Sequence, residues 1–166
     1  MASVAAHYYC MVLLAPPCAT FSCVRSLPGG PPPLRWEAPP NLYGLPGLSM
    51  ADAESVKVGT LLATRAAQMA KLCNQEKIPW VAENPKIRPG YPALFNIHEW
   101  LEVRKDPSTN EDVLEQCGYQ SLVPRQPLQS SLKCTTLLGN VPLGGICRRC
   151  CHPKHTWVYK DGRSVE

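Results

Sequence analysis

A few places in this chain carry side chains able to do chemistry. Pro16-Pro17-Cys18 puts a thiol directly after two prolines, and Glu83-Asn84-Pro85 sets a carboxylate and a carboxamide before another. A cysteine thiolate is a strong nucleophile where its site lowers its pKa, and a glutamate can hold or pass a proton. Near the C-terminal end, Cys147, Cys150, Cys151, His152 and His155 crowd into one short segment. A Cys-x-x-Cys pair followed by two histidines is a donor set for tetrahedral zinc, with Cys134 or Cys117 as a substitute ligand from elsewhere. The neighbouring Arg148, Arg149, Lys154 and Lys160 equally suit contact with phosphate. Plainer readings stand beside these. A cysteine after a strand is more often core than nucleophile, a strand-end glutamate is more often solvated, and the Cys/His segment is by default a basic tail with incidental cysteines.

The elements that must position these residues are legible in the first half. The apolar run 8–14, stopped by Pro16-Pro17, predicts a strand buried on both faces of a parallel sheet. Residues 27–48 are dominated by proline and glycine and predict a long irregular loop. Ser49, with Asp52 three positions on, predicts a helix N-cap. The proline-free stretch Ala51 to Gln75 carries Val56, Ala63, Ala67 and Ala70 at helical spacing, with Leu62 and Met69 alongside. After Pro79, Trp80-Val81-Ala82 predicts a second strand ending at Glu83-Asn84-Pro85. Strand, helix and strand in this order make a parallel βαβ unit. Ligands of such sheets sit beyond the carboxyl ends of the strands, and that topology brings Cys18 and Glu83 to one edge. The second half is less regular, with a short helix expected within 95–103 and strands within 113–119 and 134–138.

Composition bounds the function classes. The chain has 166 residues, enough for one domain with a modest core. Its 18 prolines are more than twice an ordinary share of about 5%, so long stretches must be loop. A net charge of +4 and a pI near 8.6 permit nucleic-acid binding without arguing for it. Nine cysteines, an odd number and too sparse for a disulfide scaffold, point to a reducing, intracellular setting. The segment from Met1 to His7 lacks a basic flank, and the apolar run Tyr8–Ala15 is too short to span a bilayer, so no membrane association is expected.

The motif strings themselves carry a resemblance. "LAPPCATFS" and "AENP" resemble the Pro-Cys and Glu-Asn motifs of cytosine-C5 DNA methyltransferases, in the same chain order. The longer pattern "APPCATFS…R…GPPPLR…GLPGLS…AENP" looks closer to methyltransferase-like proteins carried by some eukaryotic mobile elements. The resemblance extends as pattern over residues 8–140 and implies an α/β fold with part of a Rossmann-like methyltransferase sheet. Residues 1–110 would form that domain and 111–166 an irregular C-terminal extension.

The same resemblance implies roles. Cys18 would add to C6 of a cytosine and make C5 able to take a methyl group. Glu83 would hold N3 of the ring, with Asn84 and Pro85 shaping the turn that aims it. Pro16, Pro17 and Ser22 would belong to the substrate loop. Arg25 or Arg125 would be the basic residue near the base, and a duplex target would be flipped outward. DNA would be the partner and, if so, the nucleus the compartment.

The methyl donor would be S-adenosylmethionine, but the glycine-rich turn and following acidic residue that bind it have no counterpart here. Gly29-Gly30 and Gly144-Gly145 do not open suitable helices. The expectation is therefore a fragment or degenerate copy, inactive alone. Two rivals follow from the same residues. An amino-group DNA methylase would want a polar residue before Pro-Pro and an aromatic after it, where this chain has Ala15 and Cys18. A non-enzymatic, zinc-stapled nucleic-acid-binding or interaction module would instead rest on the Cys/His segment.

Overall fold

The computed structural model describes residues 10–26, 29–115 and 134–147, together with the backbone of two short strands at 157–158 and 164–165. The fold is α/β. In chain order it contains strand β1 (Val12–Leu14), helix α1 (Met50–Gln75), strand β2 (Trp80–Pro85), helix α2 (His98–Arg104), strand β3 (Asn110–Glu115) and strand β4 (Cys134–Gly139). A separate ribbon pairs β5 (Trp157–Val158) with β6 (Ser164–Val165). The main sheet has the order β1-β2-β4-β3.

Strands β1 and β2 are parallel, in the register Val12↔Trp80, Leu13↔Val81 and Leu14↔Ala82, and α1 is the crossover between them. Strand β4 is antiparallel to both of its neighbours, so β3 runs in the direction of β1 and β2. The sheet is thus mixed rather than wholly parallel. Strands β3 and β4, drawn from residues 110–139, complete the sheet, and β4 takes an inner position.

Helix α1 starts where its cap chemistry places it. The Ser49 hydroxyl accepts the Asp52 amide hydrogen at 3.1 Å and donates to the Asp52 carboxylate at 2.7 Å, which satisfies an otherwise orphaned donor of the first turn. Its buried stripe is Val56, Gly59, Ala63, Ala67, Ala70 and Cys73. These small residues recur at three- and four-residue spacing and let the helix backbone lie close to its neighbours. Leu62 falls outside the stripe and is exposed, whereas Met69 packs on its flank. Against this face sits an aromatic core. Trp80 and Trp100 have ring centroids 6.2 Å apart, and Phe95 meets Trp100 edge-on at 4.9 Å. The short helix expected within 95–103 is α2, preceded by a 3-10 turn at Leu94–Asn96.

Three expectations change. Strand β1 is not buried on both faces: it lies at the end of the sheet order, and Leu13 is 75% exposed while Val12 and Leu14 pack on the core. Alternating side chains with one covered face produce that pattern. Glu83, Asn84 and Pro85 do not follow β2 but belong to it, because β4 continues to pair through Glu83↔Leu137, Asn84↔Thr136 and Pro85↔Thr135. The Lys86 N–H donates to Cys134 O at 3.0 Å, so backbone alternation turns the Pro85 nitrogen away from β4, to the side where β1 has already ended. Finally, the proline-rich segment is irregular but packed. Leu34, Arg35 and Leu42 are buried, Asn41–Tyr43 forms a 3-10 turn, and Leu45 N–H closes back on Leu34 O at 2.9 Å. No helix among the described residues is long and apolar enough to cross a membrane.

Gly139 sits where β4 passes β2 most closely. A Cβ there would lie 2.5 Å from the Trp80 carbonyl oxygen, a backbone atom that cannot swing aside. Gly139→Ala is expected to lower stability by about 1–3 kcal/mol, the usual cost of overpacking, read as a reduced midpoint in urea denaturation.

Candidate functional site

Two prolines end β1 for a definite reason. Neither Pro16 nor Pro17 has an N–H, so the ladder to β2 cannot continue, yet Pro16 is buried and its carbonyl oxygen still needs a donor. Asn84 provides one. Its side chain is 4% exposed, and Nδ2 donates to Pro16 O at 3.1 Å across 68 residues of sequence. The Pro-Pro-Cys and Glu-Asn-Pro motifs are joined by this bond.

Beyond Pro17 the chain enters a 3-10 turn at Ala19–Phe21, with Cys18 as its N-cap and the Phe21 N–H donating to Cys18 O at 2.9 Å. Cys18 is half-buried with a free thiol. Thr20 and Phe21 face inward, and the turn packs on α1. Ser22 follows as the C-cap, and its hydroxyl accepts the Val24 amide hydrogen at 3.3 Å. Arg25 reaches back to the same turn. Its Nε donates to Ala19 O at 3.1 Å and its Nη1 to Pro32 O at 2.9 Å, bridging the Cys18 turn to the proline-rich loop.

Glu83 is placed differently from Asn84. Along β2 the burial alternates, with Trp80, Ala82 and Asn84 facing the core and Glu83 on the opposite face, exposed. The structure thus brings Asn84, rather than Glu83, into contact with the Pro-Pro-Cys segment.

Arg35 was not assigned a role from the sequence, although it ends the string "GPPPLR". It is wholly buried and makes four hydrogen bonds: Nε to Thr20 Oγ1 at 3.1 Å, Nη1 to Leu42 O at 2.9 Å and Thr60 Oγ1 at 3.0 Å, and Nη2 to Val56 O at 2.8 Å. Its guanidinium carbon also lies 3.8 Å from the centre of the Phe21 ring. None of these partners is a carboxylate. Burial pushes its pKa down from the ordinary value to about 10, which leaves it charged at neutral pH. The only signal in the sequence was an arginine amid prolines, which reads as a surface loop.

Two further candidates fall among the described residues. Cys147 is half-buried, and Cys134 begins β4 with a free thiol. Arg125, Cys117, Cys150, Cys151, His152 and His155 lie outside the described residues. Among the described residues no group of three His, Cys, Asp or Glu side chains could hold a metal ion. A groove of about 720 Å³ runs between α1 and the 43–48 loop, lined by Tyr43, Leu45, Lys57, Thr60, Leu61 and Thr64. It includes neither Cys18 nor Glu83.

No protein-family profile, curated protein or solved structure matches the chain. The residues and their geometry therefore carry the functional argument alone.

Replacing Asn84 by leucine keeps the branched shape of the side chain but leaves the buried Pro16 carbonyl without its donor. A loss of about 1–3 kcal/mol is expected, the cost of an unpaired buried polar group, measured as a lower urea midpoint with an unchanged slope.

Proposed function

We propose that this protein carries the catalytic edge of a cytosine-C5 DNA methyltransferase-like domain. The observation that carries the reading is the Asn84–Pro16 hydrogen bond. It ties the Pro-Pro-Cys motif, just beyond one parallel strand, to the Glu-Asn-Pro motif at the carboxyl end of the next, where ligands of parallel sheets are held. The order of the motifs along the chain and the helical crossover between their strands support the same reading.

In this reading Cys18 is the nucleophile. Its thiolate adds to C6 of the cytosine, the C5–C6 double bond opens, and the electron pair becomes available at C5 to a methyl group or a proton. Loss of the original C5 proton to a base then re-forms the C5–C6 double bond and expels Cys18 as its thiolate. Asn84 acts through the backbone, setting where the Pro16-Pro17-Cys18 segment leaves the sheet. Glu83 lies on the outer face of β2, so its engagement with N3 requires the base to approach from that face. S-adenosylmethionine would supply the methyl group; among the described residues, no glycine-rich turn opening a helix offers it a cradle.

The addition step has a readout that needs no cofactor. While Cys18 is bonded to C6, C5 can take a proton from water and later lose the original one. A single-stranded oligonucleotide carrying tritium at cytosine C5 avoids the cost of base flipping. The wild-type protein is expected to release that tritium to water, and Cys18→Ala to abolish the release. Release no faster than with Cys18→Ala would sink the nucleophile assignment.

A further inference from the structure

Arg35 is the one fully buried charged residue among those described, and the addition chemistry proposed for Cys18 gives it nothing to do directly. Its donors are turned into the protein, on Thr20, Leu42, Val56 and Thr60, so it is not offered to a phosphate or a base. Two of its contacts, Thr20 and Phe21, belong to the Cys18 turn. Thr20 and Phe21 are the second and third residues of the 3-10 turn that Cys18 caps. One takes the Arg35 Nε–H on its hydroxyl, and the other presents its ring face to the guanidinium. The remaining donors fasten to helix α1 and to the Leu42 carbonyl. The close fit extends to Gly59 of α1, where a Cβ would stand 2.8 Å from Thr20 Oγ1 and 3.3 Å from Arg35 Nη2. An exposed helix interior would favour alanine over glycine; this site leaves no room for the methyl group.

We propose that Arg35 is a positioning residue for Cys18: through Thr20 and Phe21 it holds the thiol-bearing turn in one place against α1. A planar fork with several donors suits the task, because it can bind two hydroxyls and two carbonyls at once while stacking on a ring. A lysine has one donor centre and no plane. The inference rests on Cys18 being the reactive group, and its test is separable from that reading.

The test is the rate of Cys18 alkylation by iodoacetamide across pH, followed by peptide mass spectrometry, alongside tritium release. Cys73 is wholly buried, and burial pushes its thiol pKa up, so its protection from alkylation reports an intact fold in the same sample. Thr20→Val removes the acceptor of the Arg35 Nε–H, Gly59→Ala crowds Thr20 and the edge of the Arg35 guanidinium without removing a charge or a hydrogen-bonding group, and Thr20→Ser retains the hydroxyl. With Cys73 still protected, Thr20→Val and Gly59→Ala are expected to shift the Cys18 pH profile and to lower the turnover of tritium release roughly tenfold or more, with little change in KM. Thr20→Ser should behave as wild type, and Arg35→Lys should not.

Unchanged Cys18 profiles in Thr20→Val and Gly59→Ala, with Cys73 protected, would overturn the positioning role. If Thr20→Val exposes Cys73, Gly59→Ala decides. Absence of tritium release in the wild type overturns the cytosine reading alone, and the alkylation profiles then still decide whether Arg35 sets the Cys18 turn.

Discussion

Proline removes an N–H from the backbone and leaves its carbonyl behind, and this chain contains 18 of them. Wherever such a segment is buried, carbonyl oxygens outnumber the backbone donors that could satisfy them. Side-chain N–H groups make up the difference. Asn84 donates to Pro16 O, Arg25 to Pro32 O and Ala19 O, and Arg35 to Leu42 O. The Asn84 bond carries the β1–β2 connection past the end of their ladder, and the arginine bonds tie loop and turn segments that lie outside any strand ladder. These bonds add to the β1–β2 ladder and to the burial of Phe21 and Leu42 in holding this part of the chain to α1 and β2.

Arg35 shows how far the substitution goes. A guanidinium removed from water normally needs a carboxylate or loses much of its hydration energy uncompensated. Here two hydroxyls, two carbonyls and the face of Phe21 replace the solvent. The arrangement costs the charge some stability, seen in its lowered pKa. In exchange, the proline-rich loop, the Cys18 turn and the first half of α1 share one node. A loop of this composition would otherwise have little reason to adopt a single structure.

The site follows from where β1 stops. Because β1 ends at Leu14 while β2 runs on to Pro85 beside β4, the last residues of β2 face a side with no strand partner from β1. Asn84 uses that space to hold Pro16, and Pro85 can occupy the strand without leaving a ladder bond unmade. The period of a strand then separates neighbours: Asn84 points to the core and Glu83 away from it. One motif read as a unit from the sequence thus serves both faces of the sheet.

Much of this was legible in the residues themselves. The Ser49 cap, helix α1, the parallel β1–α1–β2 unit and the strands that became β3 and β4 follow from local signals: a capping hydroxyl, helical spacing of small residues, and apolar runs bounded by proline. Such signals are local because hydrogen bonds within a helix and the alternation along a strand repeat over a few residues. Local signals also put the Pro-Pro-Cys and Glu-Asn-Pro motifs on neighbouring strands. They did not reveal that Glu83 and Asn84 lie within β2, since that depends on β4 pairing from more than fifty residues away. Nor did they reveal that Leu13 is exposed on an edge or that Arg35 is buried. Burial of a charge depends on which distant oxygens and ring faces surround it, and only the folded chain brings Thr20, Leu42, Val56 and Thr60 around one guanidinium.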